Sequence, residues 1–373
     1  EALPTGTGFH RLDRLDTRQA GLLEMNALLE DGQVPPNFER YSNQIKEDLR
    51  PRLSEFDHLI VHNVFTKHFN LPLTAALAHL VQDGTIRHCI AWCHDFTWTS
   101  PNSRHKVFPG QPWDLLRSYD PHITYVTVSQ ERQRALAGLY QVPEQEIKVI
   151  YNGVDPAQLL GLTSAGQALA ERLDLLAADL VLLMPVRVTQ AKNIEYALEL
   201  LAALKAGGIR PKLVLSGPPD PHDAGSMAYY RQLQQKRASL GLEDEMHFVF
   251  ESGPDPEQPY EIGLEMVGDL YRLSDLMLMP SHREGFGMPV LEAGLVGIPA
   301  ICTRAVPAAV EIGGQDVTLF DTSQPAQQLA GQILAWMQSN PEQRLRRRVR
   351  QRYTWQALFK QQIEPLLRDT ENR

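Results

Sequence analysis

From Leu180 to Thr303, short unbroken apolar runs alternate with longer stretches whose apolar residues recur at helical spacing. "LVLLMPVRV" (180–188) reads as a buried strand, and "NIEYALELLAAL" behind it as a helix with one apolar face. "KLVLSGP" (212–218), "MHFVFES" (246–252), "LMLMP" (276–280) and "IPAICT" (298–303) repeat the theme. The first half does so less regularly, with "DHLIVHN" (57–63), "RHCIAWCHD" (87–95), "ITYVTVS" (123–129) and "IKVIYNG" (147–153). Strands separated by helices need crossover connections, so the pattern predicts parallel sheets with helices on both faces. A turn and a proline in "YNGVDP" end the first series, and residues from about Gln158 to Leu176 form an indistinct connection. The expectation is two doubly wound α/β domains in tandem, divided at 157/158, with ligand at the carboxyl ends of their strands.

Length and composition agree with that picture and narrow the partners. At 373 residues the chain is long for a single core, so two domains are the better expectation. Hydrophobic residues at 43% and charged residues at 22% are ordinary for a globular protein. A formal net charge of -9 counts against a nucleic-acid partner, because neutralising phosphates takes a basic surface. Cys89, Cys93 and Cys302 make neither a CxxC pair nor an even disulfide set, so reduced thiols in a cytoplasmic protein are expected. No apolar run reaches membrane-spanning length and no signal-peptide pattern opens the chain, so no transmembrane segment is predicted. "RLRRRVRQR" (344–352) carries six arginines that helical spacing spreads around a helix. A solvated face is the expectation there, with peripheral membrane contact left open.

Candidate chemistry concentrates in "SHREGFGMPVLEAG" (281–294), which follows the apolar run "LMLMP". Pro289 suits the first turn of a helix, and Val290 and Leu291 continue it, giving strand, glycine turn, helix N-terminus. Unpartnered N–H groups and the dipole at such a terminus favour an anion, so the loop suits a phosphate. "PVRVTQAKN" (185–193) puts Arg187 at the end of a strand and Lys192 near the next helix start. Either cation alone reads as surface charge; with the second glycine loop, the pair describes a diphosphate site. Glu292, in the first turns of the helix, can accept two hydroxyl hydrogen bonds, which suits a ribose diol. Glu284, ahead of the glycines, would face the other end of the ligand. Among the 12 histidines, His94 stands out from His58, His62 and His88 by following "IAWC" and preceding an aspartate. No HExxH and no GxSxG occurs, so metal catalysis and a serine hydrolase have little support. Phe96, Trp98 and Trp113 read equally well as an acceptor platform and as core packing.

These residues carry a resemblance. "EGFGMPVLE" resembles the Glu-x7-Glu motif of the family 4 retaining nucleotide-sugar glycosyltransferases, which share the two-domain GT-B fold. The order of "CHD", "VSQ", "VIYNGVD", "RVTQAKN" and the two glutamates agrees with that family from about Phe56 onward. The resemblance implies two Rossmann-like domains facing a central cleft: residues 1–157 on the acceptor side, and residues 158–353 binding the nucleotide sugar. Residues 354–373 would form a C-terminal helix that returns to the first domain. Arg187 and Lys192 would hold the donor diphosphate where other glycosyltransferases use a metal; the chain has no Asp-x-Asp, and no metal or other cofactor is expected. Glu292 would take the ribose, Glu284 hydroxyls of the transferred sugar, and the backbone of Phe286, Gly287 and Met288 the sugar or diphosphate. Gly217, Gly285, Pro289 and Val290 complete the implied donor site, with base contacts around Phe250 and Glu251. His94 would stand beside the donor sugar, so the implied catalytic set is His94, Glu284, Arg187 and Lys192.

One departure stands out. Family members open with a strand and a Gly-Gly loop, whereas "LPTGTGFHRLD" (3–13) is the only glycine-rich candidate and no apolar strand precedes it. The opening strand and loop are therefore expected to be absent or highly divergent. The functional expectation is a metal-independent, retaining hexosyltransferase. It would move a sugar from a UDP- or GDP-linked donor to a hydroxyl of a sugar, glycolipid or small molecule. A nucleotide-sugar epimerase of the same fold and a non-catalytic nucleotide-sugar-binding protein are the alternatives.

Overall fold

The computed structural model describes residues 6–219, 224–255 and 257–371. The chain divides into two units, Glu1–Asn152 with Leu358–Arg373, and Gly153–Ala357. These divisions fall a few residues from the 157/158 and 353/354 boundaries read from sequence. Val154 forms a bridge with Thr354, its N–H donating to Tyr353 O at 2.8 Å while Trp355 N donates back to Val154 O at 3.1 Å. That pairing draws both connecting segments into the second unit.

The first unit holds four parallel strands, β1 (His58–His62), β2 (His88–Cys93), β3 (Ile123–Thr127) and β4 (Ile147–Val149), in the order β1-β2-β3-β4. A sheet that always steps the same way, with right-handed crossovers, puts every connecting helix on one face. Alternation along the strands shows this. Cys89, Ala91, Cys93 and Tyr125 pack with Ile45, Leu80 and Leu136 of the helices Phe38–Leu53, Leu71–Gln82 and Gln130–Tyr140. The opposite face, Ile90, Trp92 and Val126, has no crossover helix to cover it; Leu358 and Leu366 from the end of the chain do so. A parallel strand needs both faces buried, and each fully covered Leu contributes roughly 1.5–3 kcal/mol.

Among the described residues no strand precedes β1; the helices Ala20–Glu30 and Phe38–Leu53 occupy that part of the chain. Leu3, Pro4 and Thr5 of the glycine-rich stretch lie outside the described residues. Gly6, at φ +85°, stands in open space.

The second unit contains β5 (Leu180–Met184), β6 (Pro211–Leu215), β7 (Met246–Phe248), β8 (Leu276–Met279), β9 (Ala300–Thr303) and β10 (Thr318–Phe320). The order is β10-β9-β8-β5-β6-β7, all parallel. Every residue of β5 is buried, as its unbroken apolar run requires. The order reverses between β5 and β8, so the crevice beyond the carboxyl ends of those two strands is where this fold takes ligands. The sequence reading missed β10, whose Thr318 is exposed and whose three residues carry too little pattern to register.

The arginine run differs from expectation. It lies in the helix Pro341–Arg352, and its inner side is not solvated. Arg350 is buried, donating from Nη1 and Nη2 to Asp275 at 3.2 and 3.0 Å, and from Nη2 to Ala178 O at 2.9 Å. Arg346 adds a 3.3 Å contact to the same carboxylate. Asp275, immediately before β8, also accepts Val181 N at 2.7 Å, so the helix is bolted to the amino end of the sheet. Among the described residues no helix is long and apolar enough to cross a membrane.

Candidate functional site

The loops after β5 and β8 are held against each other at the switch point. After β5 the chain runs through Arg187 to the turn Gln190–Lys192, and Asn193, left-handed at φ 50°, redirects it into the helix Ile194–Ala206. After β8, His282 N donates to Ala191 O at 2.8 Å, tying the two loops together. Thr303 Oγ1, at the end of β9, donates to Ser281 O at 2.6 Å and fixes the loop from the other side. This framework brings Lys192 Nζ to 2.6 Å from Glu284 Oε1. Ser281 Oγ donates to the same oxygen at 2.8 Å. Sequence reading had given the two charged residues to different parts of the ligand. The Lys192 side chain is only 20% exposed and that of Glu284 only 10%, so the pair is poorly screened by water.

Gly287 makes the turn into the helix Met288–Val296. Its φ is +104°, and a Cβ there would lie 2.4 Å from Val306 Cγ1, so glycine is required on both counts. Ala308 N donates to Phe286 O at 2.8 Å and pins the turn. No side chain caps this helix, and Pro289 occupies its first turn. Among the described residues nothing accepts from the N–H groups at Phe286, Gly287 and Met288, and a helix terminus of that kind favours an anion; Gly285, just before them, stands in open space. Val290 belongs to a different category. Its side chain is buried, and its N–H donates to Gly287 O at 3.0 Å, so neither faces outward. One turn on, Glu292 Oε2 accepts Tyr271 OH at 2.6 Å. Burial, and then the hydrogen bond to Glu292, push the Tyr271 hydroxyl far above its ordinary range, so it stays a donor that orients the carboxylate.

The remaining donor-side candidates sort by what they touch. Arg187 is exposed and has no ion-pair partner among the described residues. Gly217 N donates to Val186 O at 3.1 Å, and a Cβ at Gly217 would lie 2.5 Å from that oxygen. Its function in the fold is to let the loops after β5 and β6 meet. Phe250 lies in the turn Val249–Glu251, where its carbonyl accepts Tyr260 N at 2.9 Å and its ring packs edge-on against Tyr230. Glu251 is committed to Tyr230 OH, Gln234 Nε2 and Arg237, so its side chain ties the turn to the neighbouring helix.

In the first unit, Asn63, left-handed at φ 61°, organises the end of β2. Its side-chain oxygen accepts the N–H of His94 at 2.8 Å and of Asp95 at 3.3 Å. The His62 and His94 rings stack, with His62 Nδ1 at 3.4 Å from His94 Nε2. Loss of solvent, and then the neighbouring His94, hold His62 below its ordinary pKa, so it is neutral at pH 7. Phe96 and Trp113 are buried, and Trp98 lies beneath the Arg117 guanidinium at 4.1 Å, so these rings are core and not an open platform. The three cysteines are free and buried, and burial raises each thiol to about 12, so none is a thiolate. Asn63, Ser281 and Tyr271 were missed in the sequence because each acts by orienting another residue.

The doubly wound second unit sets a glycine turn, two basic residues and two glutamates on the loops beyond β5 and β8 and on the helix after them, the arrangement the family resemblance implies. Comparison with known proteins agrees. The model for glycosyl transferases group 1 matches residues 170–353, and that for Glycosyltransferase Family 4 matches residues 23–158. The chain belongs to the family 4, group 1 glycosyltransferases, and its two parallel-sheet units are those of the GT-B fold. It is 30% identical over 202 residues to a D-inositol 3-phosphate glycosyltransferase of Saccharomonospora viridis, a match over 52% of this chain and 44% of that protein. It is 26% identical over 179 residues to an uncharacterized glycosyltransferase of Methanocaldococcus jannaschii, covering 47% and 41%. The matches thus span less than half the length of these relatives. Among solved structures, Anabaena HepE in complex with UDP is similar at 20% identity and a TM-score of 0.39, over 88% of this chain and 82% of that one.

Proposed function

We propose that the protein is a retaining, metal-independent hexosyltransferase that takes a UDP- or GDP-linked sugar and delivers the sugar to a hydroxyl acceptor. One observation carries the reading: the switch point of the second unit gathers a helix terminus at Gly287 with no side-chain cap, the Lys192–Glu284 pair, and an Arg187 that has no ion-pair partner among the described residues. Arg187, Lys192 and the helix terminus meet the diphosphate and stabilise the charge that grows on it as it leaves. Glu292, oriented by Tyr271, takes the ribose hydroxyls, and Glu284 takes hydroxyls of the transferred sugar. Retention then follows from acceptor attack on the face the diphosphate leaves, with the departing phosphate accepting the proton. His94 enters by the family resemblance, as the residue that stabilises the positively charged sugar, and its own substitution tests it.

The test is product analysis. Incubation with a UDP- or GDP-hexose and a panel of hydroxyl acceptors, in EDTA, is expected to release nucleoside diphosphate and form an axial anomer, read by NMR. An inverted anomer would sink the retaining mechanism, and turnover that dies in EDTA would sink metal independence. Conversion of the donor sugar with no acceptor would instead identify an epimerase.

A further inference from the structure

We propose that Glu284 is the resident counter-ion of Lys192, and that through it the site favours an intact nucleotide sugar over the bare nucleoside diphosphate. The inference rests on the reading above and adds a selection step to it. If the two side chains were independent, removing Glu284 would leave nucleoside diphosphate binding untouched. The 2.6 Å contact changes that expectation. Lys192 is already neutralised by a carboxylate, and both side chains are largely shielded from water. A nucleoside diphosphate entering this site meets an occupied cation and a like charge beside it.

Glu284 must turn from Lys192 before the lysine can serve a phosphate. A diphosphate alone offers no donor to take the lysine's place, so a carboxylate pushed off Lys192 would be left uncompensated. Sugar hydroxyls do offer donors, and a carboxylate accepts two at once. Glu284 is equipped for the exchange. Oε1 carries both Lys192 and Ser281, while Oε2 has no hydrogen-bond partner among the described residues. The Ser281 loop is held by Thr303 at 2.6 Å and by the His282–Ala191 bond at 2.8 Å, so the carboxylate moves against a fixed backbone. Sugar contacts free Lys192, and Lys192 then holds the diphosphate, so the two halves of the donor reinforce each other. After transfer the sugar is gone, Glu284 returns to Lys192, and the nucleoside diphosphate is displaced.

The test titrates UDP and GDP separately into wild type, Glu284→Gln, Lys192→Ala and the double variant. Wild type is expected to bind one of the two. Glu284→Gln, which keeps the shape and removes the charge, should bind it about tenfold tighter, the scale of one charge-assisted contact. Lys192→Ala should change affinity by less than about twofold in wild type but cost about tenfold in the Glu284→Gln background. Equal or weaker binding by Glu284→Gln, or the same Lys192 effect in both backgrounds, overturns the inference and leaves the nucleotide site standing. Binding of neither nucleotide by any of the four proteins removes the site itself. Thermal melts check folding; if Glu284→Gln does not fold, a tenfold loss in Lys192→Ala alone overturns the inference.

Discussion

The two ends of the second unit's sheet each set basic residues against a carboxylate, and they do so in opposite ways. At the amino end, Asp275 is wholly buried and each oxygen is filled: Arg350 and Arg346 on one, Arg350 and Val181 N on the other. At the carboxyl end, Lys192 and Glu284 are partly exposed, and among the described residues one Glu284 oxygen and Arg187 have no partner. A saturated pair holds elements together and has nothing left to offer a ligand. An unsaturated one, beside an open helix terminus, is stable only because water or a ligand completes it. The same chemical types thus read as structure at one end and as a site at the other, and the count of unfilled valences separates them.

Breaking the saturated pair should have the largest effect. Arg350→Ala strands a buried carboxylate, so an unfolding free energy lower by about 3–5 kcal/mol is expected in a denaturant titration. A loss no larger than that of an ordinary surface substitution would erase the contrast between the two ends. Gly287→Ala comes next, since it forces a side chain at φ +104° against Val306. It should cost about 2 kcal/mol and weaken nucleotide binding as well, with Val306→Ala restoring part of the stability. Full stability and unchanged binding in Gly287→Ala would mean the turn is not held as described.

The smallest effect is one of pH. Burial, then Lys212 and Arg237, bring His247 on β7 down to about 4. An unfolded chain takes up that proton near 6.5 while the folded one refuses it, so stability falls as pH drops from 6.5 towards about 4. The expected loss is about 1–2 kcal/mol after solvent screening, and His247→Asn should flatten it. An equally steep profile in that variant would assign the dependence elsewhere.

Much of this was legible in the sequence because it rests on periodicity and on residues that act directly. Nine of the ten strands among the described residues announce themselves as apolar runs, and Gly287, Glu284, Glu292, Arg187 and Lys192 sit in two short motifs. What the chain hid depends on partners far away in sequence. Arg350 looks like its neighbours in "RLRRRVRQR" until Asp275, 75 positions earlier, is placed against it. Lys192 and Glu284 are 92 positions apart, and no spacing rule predicts that they touch. Glu251 looked like a candidate near the base; its commitment to Tyr230, Gln234 and Arg237 appears only once the turn is folded. The one-way order of β1 to β4 was hidden too, since runs of similar strands do not declare their neighbours.

The central claim is that the carboxyl end of β5 and β8 is a nucleoside diphosphate site. A calorimetric titration of the protein and of Arg187→Ala with UDP, GDP and ADP, without added metal, tests it most directly. The account predicts micromolar binding of UDP or GDP to the protein, and about tenfold weaker binding with unchanged thermal stability in the variant. No binding of any of the three, or identical affinity in Arg187→Ala, would contradict it.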